Sequence, residues 1–136
     1  MQFTGSWYRN EALPNMFAGD PSSGPPYGLL QGKMDGINFP QDETNHIQVK
    51  NGTVCAIPHS DAFLINIMDH IEWSGSFTVL GYVDLNDSES WNAIREIMTY
   101  NYSIFVHPQY QTHMRMLEHE LHFSIMTEDE YRDNSI

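Results

Sequence analysis

Apolar and polar side chains alternate with period two in four stretches between residues 47 and 125. Such alternation predicts strands with one buried face. Ile47 and Val49, then Val54 and Ala56, flank Asn51-Gly52, the dipeptide best suited to a two-residue type I′ turn. The pattern predicts a hairpin in which Val49 opposes Val54 and Ile47 opposes Ala56. Phe63, Ile65, Ile67, Ile71 and Trp73 share one parity, Ser74-Gly75 supplies a turn, and Phe77, Val79, Gly81, Val83 and Leu85 share one parity again, which predicts a second hairpin. Gly81 lacks a side chain at a core-facing position, so a bulky neighbour fills the space or the strand bulges there. Trp91, Ile94, Ile97 and Met98 recur instead at helical spacing, with Asp87 or Ser88 placed to cap and Glu89 in the first turn, predicting one short helix near residues 88–99. Tyr102, Ile104 and Val106 alternate up to Pro108, and Leu117, Leu121, Phe123 and Ile125 alternate after it. Short strands with turns about every ten residues point to a mainly β, antiparallel sandwich or barrel.

The first 45 residues carry a different signal. Pro14, Gly19, Pro21, Gly24, Pro25, Pro26, Gly28, Gly32 and Gly36 punctuate them so closely that they read as a loop-rich arm with no helix or long strand. The expected division is therefore an arm over 1–45, a β-sandwich over 46–126 and an acidic tail over 127–136. Trp7, Tyr8, Leu13, Met16, Phe17 and Tyr27 are the arm's candidate anchors on the sheet or on a neighbouring subunit. Tyr110, Met114 and Met116 make a second candidate contact surface, thioethers being adaptable there.

Length and composition narrow the function. A chain of 136 residues fits one domain. Six Lys and Arg against 18 Asp and Glu give a formal charge of −12, which argues against nucleic acid, whose binding relies on basic groups that displace counterions. No apolar run is long enough for a bilayer, and Met1–Trp7 shows no secretory leader, so the expected location is the cytosol or the surface of a particle assembled there. The single cysteine, Cys55, allows no internal disulfide and lies in the apolar run Val54–Ile57, where a thiol acts as a small buried hydrophobe.

Candidate chemistry is sparse. His113, His119 and His122 with Glu118 and Glu120 resemble a zinc cluster only superficially, because a zincin helix needs His-Glu-x-x-His, and on a strand His119 and His122 fall on opposite faces. Asp84–Glu89 is oxygen-rich but lacks the rhythm of a calcium loop, and its residues are the usual turn and capping types. Neither a nucleophile elbow nor a phosphate loop is present. The expectation is a non-enzymatic protein with no cofactor and no resident metal.

Gly75-Ser76-Phe77-Thr78-Val79-Leu80-Gly81-Tyr82-Val83, with Tyr102-Ser103-Ile104-Phe105-Val106 and Leu121-His122-Phe123-Ser124-Ile125, resembles the first half of a concanavalin A-like or laminin-G-like jelly roll, Tyr82 standing where that family often has tryptophan. The resemblance covers residues 47–125 at most. It implies a two-sheet sandwich and assigns no site residues, and residues 88–100 depart from it by reading as helix. Two functions follow as expectations. One is a structural or interaction protein, such as a virus or phage capsid accessory subunit, whose arm docks on protein neighbours. The other is a small carbohydrate-binding or ligand-binding module using Trp7, Trp73, Tyr82 or Tyr102 as a stacking surface.

Overall fold

The computed structural model describes residues 3–11, 28–41, 47–109 and 113–134. Seven strands run β1 (Phe3–Glu11), β2 (Leu29–Met34), β3 (Thr53–Ala56), β4 (Ala62–Asn66), β5 (Thr78–Tyr82), β6 (Tyr102–Val106) and β7 (His113–Ile125). Helix α1 (Ser88–Met98) lies between β5 and β6, and α2 (Glu128–Asn134) follows β7. The strands form one sheet in the order β5-β3-β4-β2-β1-β7-β6, with every pairing antiparallel. The mainly β, antiparallel class predicted from the alternation is thus present. The pairing shows one continuous sheet.

Each face of the sheet buries its own cluster. On the inner face α1 lays Ile94 and Ile97 against Leu30 and Leu117, with Trp7, Ile65 and Trp91 at the margin. The helix forms where its spacing predicts. Asp87 caps it by accepting from the Glu89 amide at 3.1 Å, and Asn10 of β1 donates to the Ile97 carbonyl near its other end at 2.9 Å. On the outer face Leu29, Val49, Cys55 and Leu64 pack with Trp73 and Phe77 from the connection between β4 and β5.

The sheet curls strongly about its inner face. Phe63 on β4 and Phe123 on β7 stand three places apart in the strand order, yet their rings meet at 5.9 Å, with Trp7 5.0 Å from one and 5.3 Å from the other. Two glycines on the strands between them allow it. A Cβ on Gly32 would lie 2.9 Å from the Trp7 ring and 2.8 Å from the Ser6 carbonyl, and one on Gly5 would run into the Lys33 carbonyl.

Several expectations are corrected. The supposed arm contributes β1 and β2, both central in the sheet, so a boundary at residue 45 divides nothing that folds separately. Gly32, which reads as loop punctuation, is here a close-approach position within β2. A bulge at Tyr8 also hides β1's alternation, because Trp7 opposes Gly32 while Arg9 opposes Gln31, which turns Asn10 inward.

The first hairpin is not formed either. Gly52 does turn the chain at φ +90°, and the Thr53 amide donates to the Lys50 carbonyl at 3.0 Å, but no non-glycine residue there has the positive φ a type I′ turn needs. Both edges of β3 are already taken by β4 and β5, so residues 47–50 cannot pair with it and Val49 is buried in the outer cluster instead. For the same reason β4 and β5 are not a hairpin, since β3 lies between them. Of the two alternatives at Gly81 the bulge is present: Val54 opposes Gly81 while Cys55 opposes Val79, leaving Leu80 as the extra residue, and nothing lies within 4 Å of where a Gly81 Cβ would be. Within the acidic tail, Glu128–Asn134 is helical, and Thr127 and Glu130 bond each other's amides at its start.

Candidate functional site

β6 is the last strand of the sheet. Its sequence, Tyr-Ser-Ile-Phe-Val, is dominated by the β-branched and aromatic residues that favour strands, and Pro108 follows two positions after its end. One side pairs with β7, from Tyr102 opposite Leu117 to Val106 opposite His113. All five residues are exposed, Ile104 at 54% and Phe105 at 49%, although they point to opposite faces. Soluble proteins usually guard an edge with lysine, proline or a bulge inside the strand. β6 holds no charge and no proline, and its ladder to β7 runs without a shift in register. Arg115 lies opposite Ile104, with its guanidinium carbon 5.4 Å from the centre of the Tyr102 ring.

Two further strand edges have no described strand beside them, part of β7 and, beyond Thr78, which donates to the Pro40 carbonyl at 3.1 Å, β5. β7 outruns β6: the Glu118 amide donates to the Asn101 carbonyl at 3.0 Å, and from His119 to Ile125 no described strand lies on that side. β5 closes the opposite end of the sheet with Leu80 and Tyr82 exposed at 49% and 64%. The curl brings these two edges towards each other. Leu80 and Tyr82 share with Ile125, Phe63, Met34 and Phe39 the lining of one cavity of about 320 Å³ on the inner face.

The buried polar groups serve the sheet itself. Arg9 donates to Gln31 at 3.0 Å and its Nε lies 3.7 Å from the Glu11 carboxylate, which accepts from the Arg115 amide at 2.5 Å. These contacts tie β1 to both of its neighbours, and a buried charge held this way is paired rather than poised for chemistry. Asn66 donates to the Thr53 carbonyl at 2.8 Å and accepts at its Oδ1, 2.6 Å from Nδ1 of His70, so Nδ1 carries the proton. The His70 ring stacks on Trp73 at 3.9 Å.

Cys55 is fully buried, and burial pushes its thiol up to about 11. Because the folded state favours the protonated thiol, this contributes stability below the ordinary thiol pKa and loses it as pH rises towards 11. A water-soluble thiol reagent at neutral pH is expected to label Cys55 at the rate of global opening, and within seconds once denaturant is added. Rapid labelling of the native protein would contradict that burial.

The candidate residues distribute unevenly. Trp7 belongs to the aromatic trio on the inner face. Tyr8 sits half-buried at the β1 bulge, and burial raises its hydroxyl above the usual range. Met114 and Met116 are half-buried on β7 opposite Phe105 and Ser103. Leu13, Met16, Phe17, Tyr27 and Tyr110 lie outside the described residues. Of the stacking candidates, Tyr82 and Tyr102 occupy opposite ends of the sheet order and Trp73 already covers His70, so they share no platform.

His113 opposes Val106, and His122 opposes Ser6 on the outer face; among the described residues no three His, Cys, Asp or Glu side chains converge as metal ligands. In the Asp84–Glu89 loop, Asp84 accepts from the Asn86 amide at 2.9 Å. Asp87 accepts from the Ser90 hydroxyl at 2.7 Å, and this bond holds its carboxyl below the usual range.

Exposure of both faces of β6 is what the sequence reading missed. The signal was Phe105, apolar at the parity opposite Ile104. No family model, curated protein or solved structure matches this chain. No helix among the described residues is long and apolar enough to cross a membrane.

Proposed function

We propose that this chain is a non-enzymatic interaction protein, a subunit that joins a larger assembly by pairing its β6 edge with a strand of a protein partner. The observation that supports the reading is the unguarded edge, with five exposed residues, four of them large and apolar, whose outer side pairs with no described strand. Strand addition to such an edge takes affinity from main-chain hydrogen bonds and selectivity from alternate side chains. The charge of −12 favours a basic partner surface and disfavours nucleic acid.

A virus or phage particle as the setting rested on a docking arm, and the described parts of that segment include two central strands of the sheet. The sandwich implied by the jelly-roll likeness is not needed for this function. A sugar-binding module has less support, because its aromatic candidates are dispersed.

Light scattering on the full chain tests the reading. A defined oligomer, or a complex captured from its native source, is expected to be lost in Ile104→Lys and Phe105→Lys, with association weakened at least about tenfold and folding unchanged, since both positions are exposed. A monomer at every concentration, with partner capture identical in wild type and variants, would overturn it.

A further inference from the structure

We propose that the curled sheet is an incomplete barrel, and that the seam between β5 and the far half of β7 receives a β-hairpin donated by a partner protein. The inference rests on the reading of this chain as an interaction protein, but it uses a different edge from β6.

Strand direction decides what fits. Six strands, from β5 to β7, pass the end where β6 no longer reaches, and with every pairing antiparallel β5 and β7 run in opposite senses. One added strand would be parallel to one of these neighbours, whereas a hairpin adds two and keeps the alternation around the closed ring. The resulting count of about eight is the number at which a barrel interior is just filled by side chains. The inner face is already arranged for this: Trp7, Phe63 and Phe123 fill one stretch of the curl, and the cavity of about 320 Å³ beside them has Ile125 and Leu80 contributed by the two open edges.

The seam also indicates the chemistry of its occupant. Inward positions must be apolar to cover Ile125, Leu80 and Phe63. On the outward side of the seam β7 presents Glu120, exposed and 3.4 Å from the Lys33 ammonium, with the exposed Glu118 just before the seam, within a chain of net charge −12. The fitting hairpin therefore alternates Val or Ile inward with Lys or Arg outward.

The probe is a synthetic hairpin of about fourteen residues, two strands of about six joined by Asn-Gly, alternating Val with Lys and Thr. Its control carries a proline in each strand. Amide exchange of the full-length protein is followed residue by residue. The hairpin is expected to slow exchange at least about tenfold in both His119–Ile125 and Val79–Tyr82, and the control is not. Ile125→Lys and Leu80→Lys, both at exposed positions, are each expected to weaken binding about tenfold or more, while Ile104→Lys on β6 leaves it unchanged.

Protection at only one of the two edges, binding that depends on Ile104, or equal binding of the proline control would overturn the closed barrel. A wild-type chain that shows no β6-dependent assembly, with the hairpin still protecting both edges of the seam, would overturn the proposed function alone.

Discussion

Replacing Leu30 with alanine is expected to lower the unfolding free energy by about 2–5 kcal/mol. Leu30 has no exposed surface and stands at the centre of the inner face, opposite Asn10 and Ile65 on the flanking strands and under Ile94 and Ile97 of α1. Truncation removes the transfer free energy of the lost methylenes and leaves a cavity that two hydrogen-bonded neighbour strands and a helix cannot collapse into. Since small domains are stable by only about 5–15 kcal/mol, the variant stands close to unfolding at ambient temperature. Urea titration is the measurement, with a lower midpoint at an unchanged slope as the expected result. Leu80→Ala, at a half-exposed position on the sheet edge, is expected to stay within about 0.5 kcal/mol of wild type. Equal effects at the two positions would place the core elsewhere.

Gly5→Ala is expected to cost about 1–3 kcal/mol or more, although it adds a single methyl group. That methyl would run into the Lys33 carbonyl and come within 2.8 Å of the Phe123 ring. The ring can rotate away. The carbonyl belongs to the ladder between β1 and β2, where Ser6 opposes Lys33, so it moves only if the strands part. Gly81→Ala is the matched control, because nothing lies within 4 Å of its added Cβ and its φ is ordinary. There, restricting the unfolded chain makes the change neutral or slightly stabilising. Combining Gly5→Ala with Phe123→Leu is expected to restore only part of the loss. Full restoration would mean that ring packing, rather than backbone approach, sets the curl.

What could be read from the sequence followed from periods that tertiary structure left intact. Asp87 to Met98 formed the expected helix because its apolar stripe and its cap agree. Tyr102–Val106 and the latter part of β7 formed strands as their alternation required. β1 escaped notice because its inward row is Phe3, Gly5, Trp7 and, past the bulge, Asn10, while Arg9 and Glu11 are buried on the outer face as a pair. A row of that composition carries no hydrophobic period. Local turn chemistry at Asn51-Gly52 was real and still misled, since a turn specifies a reversal of direction and not which strand the returning chain will join.

Of the candidate site, the sequence exposed the residues of β6 but not their position at the end of the sheet. Edge or centre is a property of strand order, and order here depends on pairings between distant segments that no local pattern encodes.

The pairing of β1 with β7 sets the tempo of biogenesis. Phe3 opposes Ile125, roughly 120 residues later, so at about 5–20 residues per second the ribosome takes on the order of ten seconds to deliver the strand that completes β1's surroundings. Through that interval the nascent chain holds Trp7 and Leu30 without β7, and for most of it without α1, to cover them. Non-local sheets of this kind also fold slowly once released. Expression at reduced temperature, or alongside holdase chaperones, is therefore where the yield of this protein should be most responsive, and inclusion bodies should be enriched in chains that never brought their first and seventh strands together.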